Sequence, residues 1–363
     1  MKRYPGLDLL RAAAIIWVML FHGWTEGLGT PLRPVCTSGW MAVDLFFVLS
    51  GYLIGAQLFM AFARGEPHPI RTFYTRRMLR ILPVYFFIVA VYEWLPFARE
   101  QPGLSPAWQF LTFTQNFFVD YHYNKALSQA WSLCVEEHFY WILPLLVLVL
   151  LPLRSWKSVV GICIAVFLAG LAYRWFAWTE TLQNGVVLRT APYRFVEVIY
   201  YPTFARMDGI LAGLGLAMAK CFRPKAWAAA MAHPYWLLLA AGIVLTTAIL
   251  IAAPRTTFFA VVFGFPLLAL GFSLLVASLA SEQGLLGRIQ VPGAQFIATI
   301  TFSLYLSHKM TWHLTRTYVP ELVPQGTFQA FILYALGAIV VGALLYFTIE
   351  RTFLRLRDRR LPC

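Results

Sequence analysis

Cut at its charged and Pro/Gly-rich stretches, the chain falls into about ten apolar segments, at 9–26, 39–61, 79–97, 131–153, 157–178, 198–219, 234–252, 258–280, 293–313 and 327–349. Each is long enough to cross a bilayer as a helix. Backbone in hydrocarbon must satisfy its own hydrogen bonds, which leaves helices or closed barrels, and these lengths select helices. The predicted fold class is all-α, a polytopic membrane protein of about ten transmembrane helices. Only 12% of residues are charged, against about 25% in an ordinary soluble domain.

The net charge of +13 invites a nucleic-acid reading, but its distribution argues against one. Lys and Arg concentrate in alternate inter-segment stretches, and the side shared with the N-terminus holds more than twice as many as the other. This is the positive-inside pattern, with both termini cytoplasmic and anionic membrane lipids as the partners of the excess charge. Asp8 and Arg11 interrupt the first apolar run and no small-residue cleavage site follows, so it reads as an uncleaved span. The expectation is a single membrane domain over 1–363 with no appended soluble domain. Cys36, Cys134, Cys163, Cys221 and Cys363 form no CxxC pair and no ligand spacing. They read as small hydrophobes, and no metal is expected.

Charged side chains inside spans are costly, about 2.5–3.5 kcal/mol each on insertion scales, so they are candidates for function. The first span reads LDLLRAAAIIWVMLFHGW. Eleven helical steps bring Arg11 and His22 to within about 20° of one direction and roughly 16 Å apart along the axis. Asp44 opens the second span at a depth similar to His22, where a carboxylate can orient an imidazole as a general base. Ser50 lies deeper, beside Gly51. It is a candidate nucleophile, but a serine next to glycine also serves as interface glue, and that is the preferred reading.

Arg77 and Arg80, in RRMLRILP, share one helix face and suit bidentate phosphate recognition. A topogenic charge cluster is the competing explanation. Glu136 and Glu137 stand together at the head of the fourth segment, in WSLCVEEHFYWILP. They point in different directions, so at most one is expected to share a cavity with His22, and Glu136 is the choice. Arg206 and Asp208, two apart, are each expected to pair with another span. Tyr305 and His308 fall near the expected depth of His22, and Glu350 is read as an interfacial partner of Arg351. The loop 98–130 is rich in aromatic residues and is either an interfacial belt or a lid.

Taken in order, these blocks resemble the acyltransferase 3 family of integral membrane acyltransferases. Arg11-x10-His22 resembles its first-helix signature, DLFFVLSGYLI its second-helix block and RRMLRILP its RxxR element. WSLCVEEHFYWILP, RMDGILAG and FSLYLSH are similar to later blocks. His138 and Lys309 depart from the usual residues at their positions. The resemblance implies a bacterial cytoplasmic-membrane enzyme transferring an acyl group, commonly acetyl from acetyl-CoA, to a hydroxyl of a saccharide, lipid-linked saccharide, glycan or macrolide.

On this reading Arg77, Arg80 and Arg11 hold the phosphates of acyl-CoA. His22, oriented by Asp44 or Glu136, takes the proton from the acceptor hydroxyl, with Glu137, Arg206, Asp208, Tyr305 and His308 as further candidates. A transporter or flippase for a lipid-linked or anionic solute is the rival, since it can use the same intramembrane charges without chemistry. Against it, the sequence offers neither an inverted repeat nor paired broken spans.

Overall fold

The computed structural model describes residues 4–28, 33–150, 156–183, 191–253, 255–320 and 327–360. The described residues hold no β-strand, only an isolated bridge between Leu104 and Ala126. The principal helices are α1 (Pro5–Thr25), α2 (Ala42–Ala63), α3 (Pro69–Trp94), α4 (Trp131–Leu150), α5 (Trp156–Trp178) and α6 (Asp208–Phe222). They continue with α7 (Pro234–Ala252), α8 (Phe265–Ala280), α9 (Ala294–Tyr318), α10 (Phe328–Leu345) and α11 (Arg351–Arg360).

Six helical stretches are long and apolar enough to cross a membrane: Pro5–Thr25, Arg33–Ala63, Lys157–Leu182, Pro234–Ala252, Ala260–Ala280 and Phe328–Arg360. They divide by burial. The most apolar windows of the first, second and fifth are 56–67% buried, whereas those of the other three are only 11–28% buried. The peripheral helices therefore turn Ile164, Leu168, Trp175, Ile243, Leu250, Leu336 and Val340 outward. An apolar perimeter of this kind suits lipid rather than water.

The centre is built from α1, α2, α6, α8 and α9. The closest approach is between α2 and α6, which meet through small residues as membrane helices do. A Cβ at Gly51 would collide with the carbonyl oxygen of Ile210, and one at Gly213 with that of Val48. Each glycine thus admits the other helix's backbone.

The segment 198–219, read from sequence as one span, is broken in the structure. Residues Val196–Tyr200 form a π turn, Thr203–Ala205 a 3-10 turn, and α6 begins only at Asp208. Pro202 has no N–H to continue the ladder, and its own backbone is extended (φ −61°, ψ 131°), so the turn ends after Tyr201. The loop preceding α4 satisfies the exposed groups. Asn116 Nδ2 donates to the Tyr201 carbonyl (3.2 Å) and to Thr203 Oγ1 (2.8 Å), and His138 Nδ1 lies 2.7 Å from the same hydroxyl.

The aromatic loop 98–130 is folded against the helices. Phe110 and Phe113 are buried, with Phe113 stacked on Tyr85 at 4.6 Å and the Tyr85 hydroxyl donating to the Phe110 carbonyl. Trp108, Phe118 and Tyr123 remain exposed. The loop is thus both a packed insert and an aromatic rim.

Candidate active site

Along α1, Arg11 and His22 project into two different cavities. The first, about 150 Å³, is lined by Arg11 from α1, Ser50 from α2, Arg77 and Arg80 from α3, and Glu136, Glu137 and Tyr140 from α4. The second, about 300 Å³, takes His22 from α1 and Glu26 from just beyond it, Tyr121, Lys125, Ser128 and Gln129 from the loop before α4, and Lys309 from α9. Trp40, Trp131, Tyr200 and Arg255 complete its wall. Val43 and Tyr305 line both. They form the partition between the two spaces.

In the first cavity the α3 spacing places Arg77 and Arg80 on the same wall. Arg77 Nη2 donates to Gln57 Oε1 (3.1 Å), and its guanidinium lies 5.8 Å from the centre of the Tyr140 ring. Ser50 Oγ donates to Glu136 Oε2 (2.9 Å), and Tyr140 OH donates to the same oxygen (2.5 Å). Ser50 is therefore part of a polar knot with Glu136 and Tyr140. Arg11 keeps Asp8 at 3.8 Å, one turn away.

The arrangement corrects the expectation for the paired glutamates. Both line the arginine cavity, and neither lines the cavity of His22. Adjacent helical residues diverge by about 100°, and this cavity is broad enough along α4 to receive both.

Asp44 does not meet His22 either. Its Oδ1 accepts from Arg206 Nη2 at 2.8 Å, and the Arg206 guanidinium lies 4.1 Å from the Phe265 ring centre and 4.4 Å from that of Tyr200. Arg174 binds Asp208 through two hydrogen bonds of 2.7 and 3.0 Å. In a low-dielectric core a carboxylate gains more from a full cation than from an imidazole. Loss of one partner of such a pair costs about 3–5 kcal/mol, because the other charge is left uncompensated. Arg206 and Asp208 thus each pair with another element, as their spacing predicts. Glu350 is also displaced from its expected place. It is buried and accepts from Ser303 Oγ (2.7 Å), while Arg351 lies over the Phe347 ring.

The partner of His22 is His308. The rings lie edge to edge and nearly coplanar, with centres 5.0 Å apart and 12° between their planes, and His22 Nδ1 lies 2.7 Å from His308 Nε2. His308 Nδ1 in turn lies 2.8 Å from the Tyr305 carbonyl oxygen. A carbonyl only accepts, so His308 carries its proton on Nδ1 and presents Nε2 as an acceptor. His22 must then donate from Nδ1, which leaves its Nε2 lone pair available to take a proton. Tyr305 is fixed by its hydroxyl, 2.8 Å from Ser132 Oγ and 2.9 Å from the Gln129 carbonyl. Lys309 Nζ donates to Ser128 Oγ (3.1 Å).

Residues 4–347 match the family model described as an acyltransferase domain. The chain belongs to this acyltransferase family. Among relatives, it is 31% identical over 233 residues to peptidoglycan O-acetyltransferase OatA of Listeria monocytogenes, covering 60% of this chain and 34% of that protein. It is 34% identical over 161 residues to putative peptidoglycan O-acetyltransferase YrhL of Bacillus subtilis, covering 40% and 24%. To O-acetyltransferase OatA of Staphylococcus aureus it is 27% identical over 229 residues, covering 59% and 34%. The chain spans about a third of the length of these OatA relatives. No solved structure matches it.

Several parts of this candidate site carry no clear signal in the sequence. Tyr140 lies one helical turn beyond Glu136, a spacing from which it was accessible. The aromatic and cationic wall of the His22 cavity is drawn from widely separated parts of the chain and carries no local signature.

Proposed function

We propose that the chain is a membrane O-acyltransferase moving an acyl group, acetyl in the first instance, from acyl-CoA to a hydroxyl of a saccharide or glycan. The observation that carries this reading is the His22–His308 pair, which leaves one imidazole nitrogen basic at the wall of a cavity. The acetyltransferase names of the relatives support the reaction, and their peptidoglycan names support a glycan acceptor.

The donor's phosphates bind at Arg11, Arg77 and Arg80, whose guanidinium groups suit bidentate phosphate contacts. Its acyl-thioester end passes between Val43 and Tyr305 to reach His22. There the acceptor O–H donates to His22 Nε2. As the oxygen attacks the thioester carbonyl, the proton moves to the imidazole and the C–S bond breaks. The departing thiolate then takes that proton, leaving an ester, free CoA and neutral His22. The His22 Nδ1–H bond to His308 persists throughout and keeps the ring oriented. The charge distribution supports about ten crossings with both termini cytoplasmic, the arginine cavity facing the cytoplasm and the His22 cavity the outer side of the cytoplasmic membrane.

The test is transfer from labelled acetyl-CoA to a panel of glycans by the purified protein. His22→Ala should abolish transfer while the protein stays folded, and full activity in that variant removes His22 as the base. Arg77→Ala should raise the donor KM. An unchanged donor KM removes the phosphate role. Transport of the glycan across vesicle membranes without acyl transfer would favour the transporter reading.

A further inference from the structure

The His22 cavity treats its positive charge differently from the protein core. In the core each buried guanidinium is matched: Arg206 by Asp44 and Arg174 by Asp208. The wall of the His22 cavity carries Lys125, Arg255 and Lys309 against the single carboxylate of Glu26. Among the described residues none of these three cations has a carboxylate within ion-pair distance. They are held by other means. The Arg255 guanidinium lies 5.5 Å from the Trp40 ring centre and 5.7 Å from that of Phe21. Lys125 Nζ lies 4.9 and 5.3 Å from the ring centres of Tyr193 and Tyr121, and Lys309 donates to Ser128.

A cation held on an aromatic face is attracted by the ring quadrupole but is not neutralised by an opposite charge. Here those cations line the same cavity as His22. Aromatic walls also suit the C–H faces of sugar rings, and about 300 Å³ is at the small end of ligand sites. We propose that the His22 cavity binds the end of a saccharide bearing an anionic substituent, a carboxylate or a phosphate, and that Arg255 and Lys125 select for it. This rests on the acceptor side of the reading above and narrows its substrate class.

The experiment measures binding, with no donor present, to the purified full chain in nanodiscs by calorimetry. The probes are a uronic-acid disaccharide, a sugar phosphate, a neutral disaccharide and CoA. An anionic sugar should bind at least about tenfold more tightly than the neutral one, an advantage of about 1.4 kcal/mol, and added salt should reduce it. Which of the two anionic sugars wins distinguishes carboxylate from phosphate.

The variant Arg255→Gln/Lys125→Gln should lose the preference, and Arg255→Lys should retain most of it. Equal binding of charged and neutral sugars overturns the proposal. So does no sugar binding, or a double variant that loses CoA binding while keeping its charge preference. Because no donor is present, the result is independent of acyl transfer: an anionic preference without transfer upholds the cavity's specificity and rejects only the reaction.

Discussion

The 2.7 Å contact between His22 and His308 decides which nitrogen of His22 is basic. On the proposed mechanism His308 acts as a positioning residue, since its own Nδ1 is committed to a backbone carbonyl. His308→Ala should lower kcat by about 100-fold, the lower end of general-base effects, with little change in donor KM. In His308→Gln the amide oxygen can accept from His22 Nδ1, so part of the rate should return. Steady-state kinetics of both variants checks this, and equal losses would assign His308 to packing alone. Arg11 and His22 were legible in the sequence because their relation is internal to one helix. The partner of His22 was not, since it stands 286 residues away and the mutual rotation of α1 and α9 has no local signature. Asp44 misled for the same reason: His22 is near it in sequence, whereas Arg206 is near it in space.

At the scale of elements, the α2–α6 contact gives the sharpest contrast. Gly213 lies against the backbone of Val48, while a Cβ at Gly215 would meet nothing within 4 Å. Gly213→Ala should destabilise by about 1–3 kcal/mol through overpacking. Gly215→Ala should be neutral or stabilising by up to about 1 kcal/mol through helix propensity. Thermal unfolding of the two purified variants compares them directly, and similar shifts would remove the close contact as a source of stability. Gly51, read in the sequence as part of a helix interface beside Ser50, pointed to such an approach. The break before α6 was harder to see, because the apolar run continues through Pro202. Its polar groups are satisfied by Asn116 and His138, which belong to distant parts of the chain.

For the whole molecule, the proposed route requires the two cavities to belong to opposite faces of the membrane. With the five native cysteines replaced, Tyr123→Cys beside the His22 cavity and Asp358→Cys at the end of α11 should react with an impermeant thiol reagent from opposite sides. Labelling of both from one side would overturn the topology. The Asp44–Arg206 pair adds a constraint on how the molecule is made. Its members lie 162 residues apart, so at about 5–20 residues per second the carboxylate waits roughly 10–30 s for its cation to be synthesised. During that interval α2 carries an uncompensated acid and must be sheltered by the insertion machinery.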